Sequence, residues 1–509
     1  SDTSFNNVSV TGSVDQSSIY GDAGNDSVFV NGSVNFSTIN TGDGEDTISA
    51  GAVTGASSID GGAGNDTIST GGVSTGATIR GGVGGDTISV NGDVSGSIVY
   101  TGMGANGMNP DNIDTFQNMV TVSGKVDTSS IFGDAGNDIV VVNQNDNSSV
   151  GSVNSTISTG GGNDTIIIRG ASSASSAYGV SGGFIDAGDG NDGLSVSASG
   201  ANNTAYGIFG AAVAMGEGND TIGVTAVAGN ANAYGVSGGS AIDLGNGDNT
   251  MSVTSNEFGR YNYAYGIYSG YGATGGSRTS VTGGDGNDVV NVSVSGDGYS
   301  PVGVSSATLN LGNGDNQVNI STQSSLYGAT GVEYSTITTG SGADSLKINM
   351  SGAAGTALSS DTVNLGDGDN TVSVSGAYIG VGAGSIATGA GKDSITINNT
   401  VNGAYGATSA ILNTGAGDDL LKVSVGGNLN DSTALNSGSV NMGDGNDTAN
   451  LSVNTTNAYN SAIAMNSSAV LNMGNGDDNV TISAKAQGGG LAAGLHNSSR
   501  LDLGAGNDT

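Results

Sequence analysis

The chain has 509 residues, with 94 glycines, 2 prolines and no cysteine, and its 45 acidic against 10 basic side chains give a formal charge of −35. That charge excludes nucleic acid as a partner, because a phosphate backbone is gripped by Lys and Arg. The missing cysteines exclude disulfides and thiolate metal sites, and glycine without proline excludes a collagen-like or Pro-rich chain.

The first predicted element is a short alternating segment that ends on Ile19, followed by the Gly-rich phrase GDAGND at Gly21–Asp26 and by a second alternating segment through Val28 and Val30. This order of strand, turn, strand and loop then recurs to the end of the chain. The phrase returns as GGAGND at Gly61–Asp66, GDAGND at Gly133–Asp138 and finally LGAGND at Leu503–Asp508, nineteen times in all. Its last residue, here called the anchor, is Asp26, Asp46, Asp66, Asp86, Asn106, Asp138, Asp164, Asp192, Asp220, Asn249, Asp288, Asn316, Asp344, Asn370, Asp393, Asp419, Asp447, Asp478 and Asp508. Spacing is 20 residues up to Asn106, then 32 with an insertion around Gly107–Gln117, then mostly 26 to 31, with one interval of 39 ending at Asp288. The chain therefore divides into a short-rung part, 1–137, and a long-rung part, 138–509, continuous with the first.

An aliphatic residue stands seven positions before each anchor, as in Ile19, Ile59, Ile157, Leu309 and Leu501, and others follow two and four positions after it, as in Val28 and Val30 or Ile166 and Ile168. Ser, Thr and Asn fill the places between. This period of two marks strands with one buried face, and no stretch carries the 3.6-residue period of a helix. A repeat of this length, sustained throughout, predicts an all-β fold: a parallel β-solenoid of about nineteen rungs, equivalent strands stacked about 4.8 Å apart, with one Gly-rich turn per rung.

The turn chemistry points to calcium. Glycines let carbonyls face into the turn, the Asn before the anchor tolerates a left-handed backbone, and Ca²⁺ takes six to eight oxygens from carboxylates and carbonyls. Two turns stacked at strand spacing would supply them. The candidate ligands are the Asp anchors, together with Asn249, Asn316 and Asn370 and the acids just before them, Asp248, Asp315 and Asp369, where the carboxylate is shifted by one. Asn106 has no acidic neighbour, so the metal row is expected to break there. A divalent ion in each of eighteen gaps would add a charge of about +36 and nearly cancel the −35 of the chain.

These phrases resemble the nonapeptide repeats of the hemolysin-type, or RTX, calcium-binding family, G-G-x-G-x-D-x-U-x with U aliphatic; GGAGNDTIS at Gly61–Ser69 matches at every position. The resemblance covers essentially the whole chain. It implies a calcium-loaded parallel β-solenoid secreted by bacteria. Ordinary repeats of that family follow one another every nine residues, whereas here there is one per coil, as in the solenoids of large bacterial surface adhesins. The ice-binding members of that group carry a regular Thr beside the Asn of the turn, and the matching positions here are Ala23, Asp43, Ala63, Val83, Gly161, Asp189, Glu217 and Asn246. No ice-binding array is therefore expected.

The function expected is a non-catalytic structural protein of the bacterial surface or extracellular matrix: an adhesin stalk, a surface-layer protein or a filament subunit, self-associating or continuing into a longer rod, and in contact with surface glycan or the cell envelope. The alternative is the secretion and folding module of an exported enzyme whose catalytic domain lies outside this sequence. No apolar run approaches the roughly 18 residues of a membrane helix. The single histidine, His496, lacks the partners that catalysis or zinc would need. Tyr178, Tyr206 and Tyr234, spaced by 28 residues, are expected to stack on one another as an edge ladder.

Overall fold

A computed structural model describes residues 4–102, 115–142, 149–270, 278–352, 355–399, 405–427, 431–457 and 459–509. Every element among them is a β-strand. Each rung contributes one strand to each of three parallel sheets, and the contacts divide the chain into two units, Ser1–Val227 with Ser240–Asn246, and Ala228–Gly239 with Gly247–Thr509. The first unit holds nine complete rungs and the second nine, and the strands of the tenth rung are divided between them, giving the nineteen expected from the repeat.

In the first unit the sheet that follows each turn runs through Ser27–Val30, Thr47–Ala50, Thr67–Thr70, Thr87–Val90 and Met119–Val122, paired in strict register so that Ile68 meets Ile88, which in turn meets Val120. A second sheet uses two-residue strands such as Val34–Asn35 and Val73–Ser74, and a third leads into the turn through Thr38–Asp43, Ser58–Ala63 and Thr78–Val83. The aliphatic residues seven before the anchor, Ile39, Ile59 and Ile79, are fully buried and stack on one another. Their burial supplies the main driving force for stacking, on the order of 1.5–3 kcal/mol per side chain. The corner between second and third sheets turns on non-glycine residues at positive φ, among them Gln16 (45°), Phe36 (46°) and Thr128 (50°). It is pinned by serines: the Ser17 amide donates to Ser37 Oγ at 3.1 Å, and the Ser37 amide to Ser57 Oγ at 3.1 Å.

From Thr165–Ser172 onward the first-sheet strand grows to eight residues, as in Gln317–Ser324 and Leu420–Gly427 of the second unit, except in Thr371–Ser375 and Ser394–Asn399, which have five and six. The extra turn of alternation buries a third position, six after the anchor, occupied by Ala198, Val294, Val425 and Val453. The second sheet lengthens in step, to Ala177–Ser181 and Ala264–Tyr268. In the Tyr265–Gly266 pair a Cβ on Gly266 would stand 2.3 Å from Val292 Cγ1, so glycine gives the closest approach of the second sheet to the first there, while Ala357 and Ala434 fill the same position in later rungs.

Candidate metal centre

The turn places each anchor side chain inward, beneath the rung that precedes it. One carboxylate oxygen, Oδ1, accepts the backbone amide of the preceding anchor. In the first unit Asp26 N–H donates to Asp46, Asp46 to Asp66 and Asp66 to Asp86, at 2.6, 2.8 and 2.8 Å. The same link joins Asp138 to Asp164, Asp164 to Asp192 and Asp192 to Asp220 at 2.6–2.8 Å. In the second unit it runs from Asn249 through Asp288, Asn316, Asp344, Asn370, Asp393, Asp419, Asp447 and Asp478 to Asp508. The anchors are buried, apart from the half-buried Asp508. The structure thus gathers the sequence-predicted anchors into one column within each unit.

The other oxygen is the informative one. Oδ2 of Asp46, Asp66, Asp164, Asp192, Asp288, Asp344, Asp393, Asp419, Asp447 and Asp478 is buried and makes no hydrogen bond, although a Thr hydroxyl stands close enough to the carboxyls of Asp46, Asp164, Asp344, Asp393 and Asp419 to stabilise their charge. What faces it is more oxygen. A Cβ built on Gly61 would fall 2.4 Å from Asp66 Oδ2 and 2.6 Å from the Gly81 carbonyl oxygen, and one on Gly283 would meet Asp288 Oδ2 and the Leu311 carbonyl oxygen at 2.1 and 2.6 Å. In these two turns glycine leaves that space open, whereas the same position holds Thr before Asp46, Asp164, Asp344, Asp393 and Asp419, Ala before Asp192, and Met before Asp447 and Asp478. Thr41, Thr159, Thr339 and Thr414 line the same edge, each donating its hydroxyl hydrogen to a carbonyl of the next rung at 2.7–2.9 Å. An all-oxygen set of this kind suits a hard cation such as Ca²⁺, and a buried carboxylate among carbonyls is costly without one. Among the described residues no three His, Cys, Asp or Glu side chains cluster, so main-chain oxygens would have to complete any coordination shell.

The asparagine turns show what the aspartate turns lack. Asn370 Oδ1 makes the usual link to the Asp344 amide, while its Nδ2 donates to the carbonyls of Gly366, Gly368 and Thr388 at 3.1, 3.0 and 2.7 Å. Asn316 Nδ2 donates to Gly312 and Gly314, both at 3.1 Å, and Asn249 Nδ2 to Gly247 at 3.1 Å. An amide group therefore supplies positive hydrogens where an aspartate presents a second negative oxygen. Asp248, Asp315 and Asp369 stand one column further out and are exposed there; each accepts an outer-column amide, of Asn287, Ala343 and Lys392, at 2.7–2.8 Å. They do the work of the asparagines at the same position in other turns, such as Asn163, which accepts the Asn191 amide at 2.7 Å.

Two turns with an acid four before the anchor are satisfied from within. Asp26 Oδ2 accepts the Asp22 amide at 3.1 Å, and Asp138 Oδ2 accepts the Asp134 amide at 2.9 Å. Asn106 lies outside the described residues, as does most of the insertion placed at 107–117. The ladder position between Asp86 and Asp138 is held by Asn118: it accepts the Asp86 amide on Oδ1 at 2.7 Å and donates its own amide to Asp138 at 3.0 Å. The 32-residue interval therefore falls between Asp86 and Asn118, with the insertion ahead of the anchor. The signal was present in the sequence, since Asn118 is followed by aliphatics two and four positions on, Val120 and Val122, and Asn106 is not.

Burial pushes the anchor carboxyls upward, to about 7 for Asp66 and Asp164 and to about 6 for Asp138, Asp220, Asp288, Asp393 and Asp447. The donated amides, and side chains such as Thr159 at Asp164 and Thr388 at Asp393, lower them, but by less than burial raises them. The ion pairs Lys125–Asp127 and Arg500–Asp502 lie off the row. His496 sits half-buried away from the anchors, with Nδ1 3.1 Å from Asn466 Oδ1. Tyr178 and Tyr206 stack as expected, with centroids 4.7 Å apart and planes 7° from parallel. The chain matches no known family, no curated protein and no solved structure.

Proposed function

We propose that the chain is a calcium-stabilised, non-catalytic structural solenoid of the RTX type, serving at a bacterial surface or in the extracellular matrix as an adhesin stalk, a surface-layer protein or a filament subunit. The observation that carries the calcium reading is the exchange seen at the anchor. At least ten of the described aspartates bury an oxygen that makes no hydrogen bond, and where asparagine replaces aspartate its Nδ2 hydrogens fill the same place. A bound Ca²⁺ would neutralise these carboxylates and accept their oxygens as ligands. The chain's own part is to hold the oxygens in register through the anchor-to-amide links and, in the turns of Asp66 and Asp288, to keep side chains out of the space with glycine. The structural role follows from the use the rungs make of their chemistry: the carboxylates that recur do so for stacking.

Metal analysis of the purified chain after dialysis against Ca²⁺ tests the reading, with circular dichroism alongside. About ten ions per chain are expected, matching the ten donorless oxygens, and a β spectrum that excess chelator abolishes and Ca²⁺ restores cooperatively. An unchanged spectrum in chelator, or a content of one or two ions, would sink it.

A further inference from the structure

In the second unit a ladder of tyrosines stops at a cavity. Tyr234 pairs with Tyr265 in the second sheet, and their rings lie 5.5 Å apart and only 2° from parallel. Tyr268 stacks on Tyr265 at 4.2 Å. In the next rung the partner of Tyr265 is Val302 and that of Tyr268 is Ser305; one rung further stand Thr330 and Glu333. The Tyr234–Tyr265 column therefore ends at this rung, as does Tyr268, which follows Ser237 in its own column; Val302, Thr330, Thr356 and Ile379 succeed Tyr265, and the notch spans the first two of those rungs, roughly 9.6 Å at strand spacing. The neighbouring ladder does not stop: Tyr263, Tyr299 and Tyr327 stack on through the same rungs at 5.4 and 5.5 Å. The result is a notch of about 480 Å³ lined at one end by Tyr234, Tyr263, Tyr265 and Tyr268.

The remaining wall is polar. Glu333 borders the notch, half-buried, with Oε1 accepting the Ser305 hydroxyl at 2.9 Å, and Asn232, Ser300 and Thr330 add further donors and acceptors. The volume falls within the range of small-ligand sites. Three features narrow the ligand. The rings that line the notch are within about 30° of parallel, so they form a platform and not the box of crossed faces that encloses a quaternary ammonium ion. A platform suits the C–H face of a sugar ring, whose hydroxyls the Glu333 side could bind. Among the described residues no Lys or Arg borders the notch and Glu333 is the one charged residue that does, so an anionic sugar is disfavoured.

We infer that this notch, bounded by Tyr265 and Tyr268 at one end and by Thr330 and Glu333 at the other, is a binding site for a neutral oligosaccharide. The site does not depend on the metal row beyond needing a folded solenoid.

Titration calorimetry on the full chain in Ca²⁺ tests it, using maltotriose, cellotriose and N,N′,N″-triacetylchitotriose, with trigalacturonate and tetramethylammonium as contrasts. At least one neutral trisaccharide should bind with a Kd of about 1 mM or tighter, and neither contrast should. Val302→Tyr continues the ladder into the notch and should weaken that binding at least about tenfold, with the circular dichroism spectrum and calcium content unchanged. Thr330→Tyr fills the notch from the opposite end and should do the same should Val302→Tyr fail to fold. Absence of binding by all three neutral sugars at about 10 mM would overturn the assignment. So would binding that survives both filled variants, or binding of tetramethylammonium in place of sugar.

Discussion

The short rungs of the N-terminal part and the long rungs that follow carry the same turn on different frames. In the short rungs a four-residue strand and a two-residue strand complete the coil, as in Thr67–Thr70 and Val73–Ser74; in the long ones Gln317–Ser324 and Thr330–Glu333 do so with eight and four. The anchor link has the same length in both, 2.8 Å from Asp66 to Asp86 and 2.8 Å from Asp393 to Asp419. Register is thus set at the turn edge, where a side chain must reach a fixed amide in the neighbouring rung. The opposite edge need only match its neighbours in length, and it is there that the long rungs gain a wider core, the tyrosine ladders and the buried acids Glu257 and Asp361.

The largest expected effect separates turns that need a cation from turns that do not. The run Asp393, Asp419, Asp447 and Asp478 has a donorless oxygen in every turn, whereas Asp26, Asn118 and Asp138 are satisfied by amide donors or by their own amide group. In chelator, hydrogen exchange should lose protection first across 394–486, by at least about 100-fold, and later in Ile139–Val142. Equal loss in both regions would erase the distinction between the two kinds of turn.

Single substitutions sharpen it. Asp419→Asn should place an amide where Asn370 already has one, removing one ion per chain and costing about 1–3 kcal/mol in Ca²⁺, while stabilising the chain in chelator. Asn370→Asp should do the reverse. Thermal melts of both variants with and without Ca²⁺ check the change of sign, and a sign that does not reverse would mean that the anchors hold no metal.

A smaller effect is a pH dependence of the metal-free chain. Asp66 and Asp164 are raised from 3.8 to about 7, so between those values the folded state holds protons that the unfolded chain has released. That contribution to stability is complete below pH 3.8 and is lost as pH rises through about 7. The apo chain should therefore melt higher at pH 5 than at pH 8, and Ca²⁺ should remove or invert the trend while releasing protons. Potentiometry during Ca²⁺ addition at pH 6.5 would detect that release.

The fold was largely legible because two independent columns repeat in the sequence, the anchor and the aliphatic residue seven before it, and both must sit in the same register. The row was displaced at one rung because an insertion split the turn there, so that a nearby Asn at the regular spacing, Asn106, stood in for Asn118. The difference between aspartate and asparagine turns was not legible: it depends on which donors reach Oδ2, and that is a matter of backbone direction. The serine corner escaped for the same reason, since residues as unlike as Gln16, Phe36 and Thr128 take the positive φ there. The notch was hidden because it arises where a column of tyrosines stops, an absence that has meaning only once Val302 is known to pair with Tyr265.

The serine corner gives the smallest of these effects and the one farthest from the metal row. In several rungs a serine hydroxyl accepts the corner amide, as Ser335 Oγ does for Ala307 at 3.2 Å, but in the following rung Asp361 takes the place and accepts the amides of Ser335 and Ser359 at 2.8 and 2.7 Å. Burial pushes the Asp361 carboxyl up to about 7, with the nearby Glu333 adding to the rise and the two amides opposing it. The sign follows as for any raised acid: the residue's contribution is full below pH 3.8 and lost as pH passes about 7. Asp361→Ser restores the usual corner without a titrating group. In Ca²⁺ it should raise stability by about 1 kcal/mol at pH 8 and leave it unchanged or lower at pH 5, where the acid is mostly protonated. Denaturant melts of the two chains at both pH values measure the difference, and a gap that does not widen with pH would show that this buried carboxyl is held by its two amides more firmly than burial disfavours it.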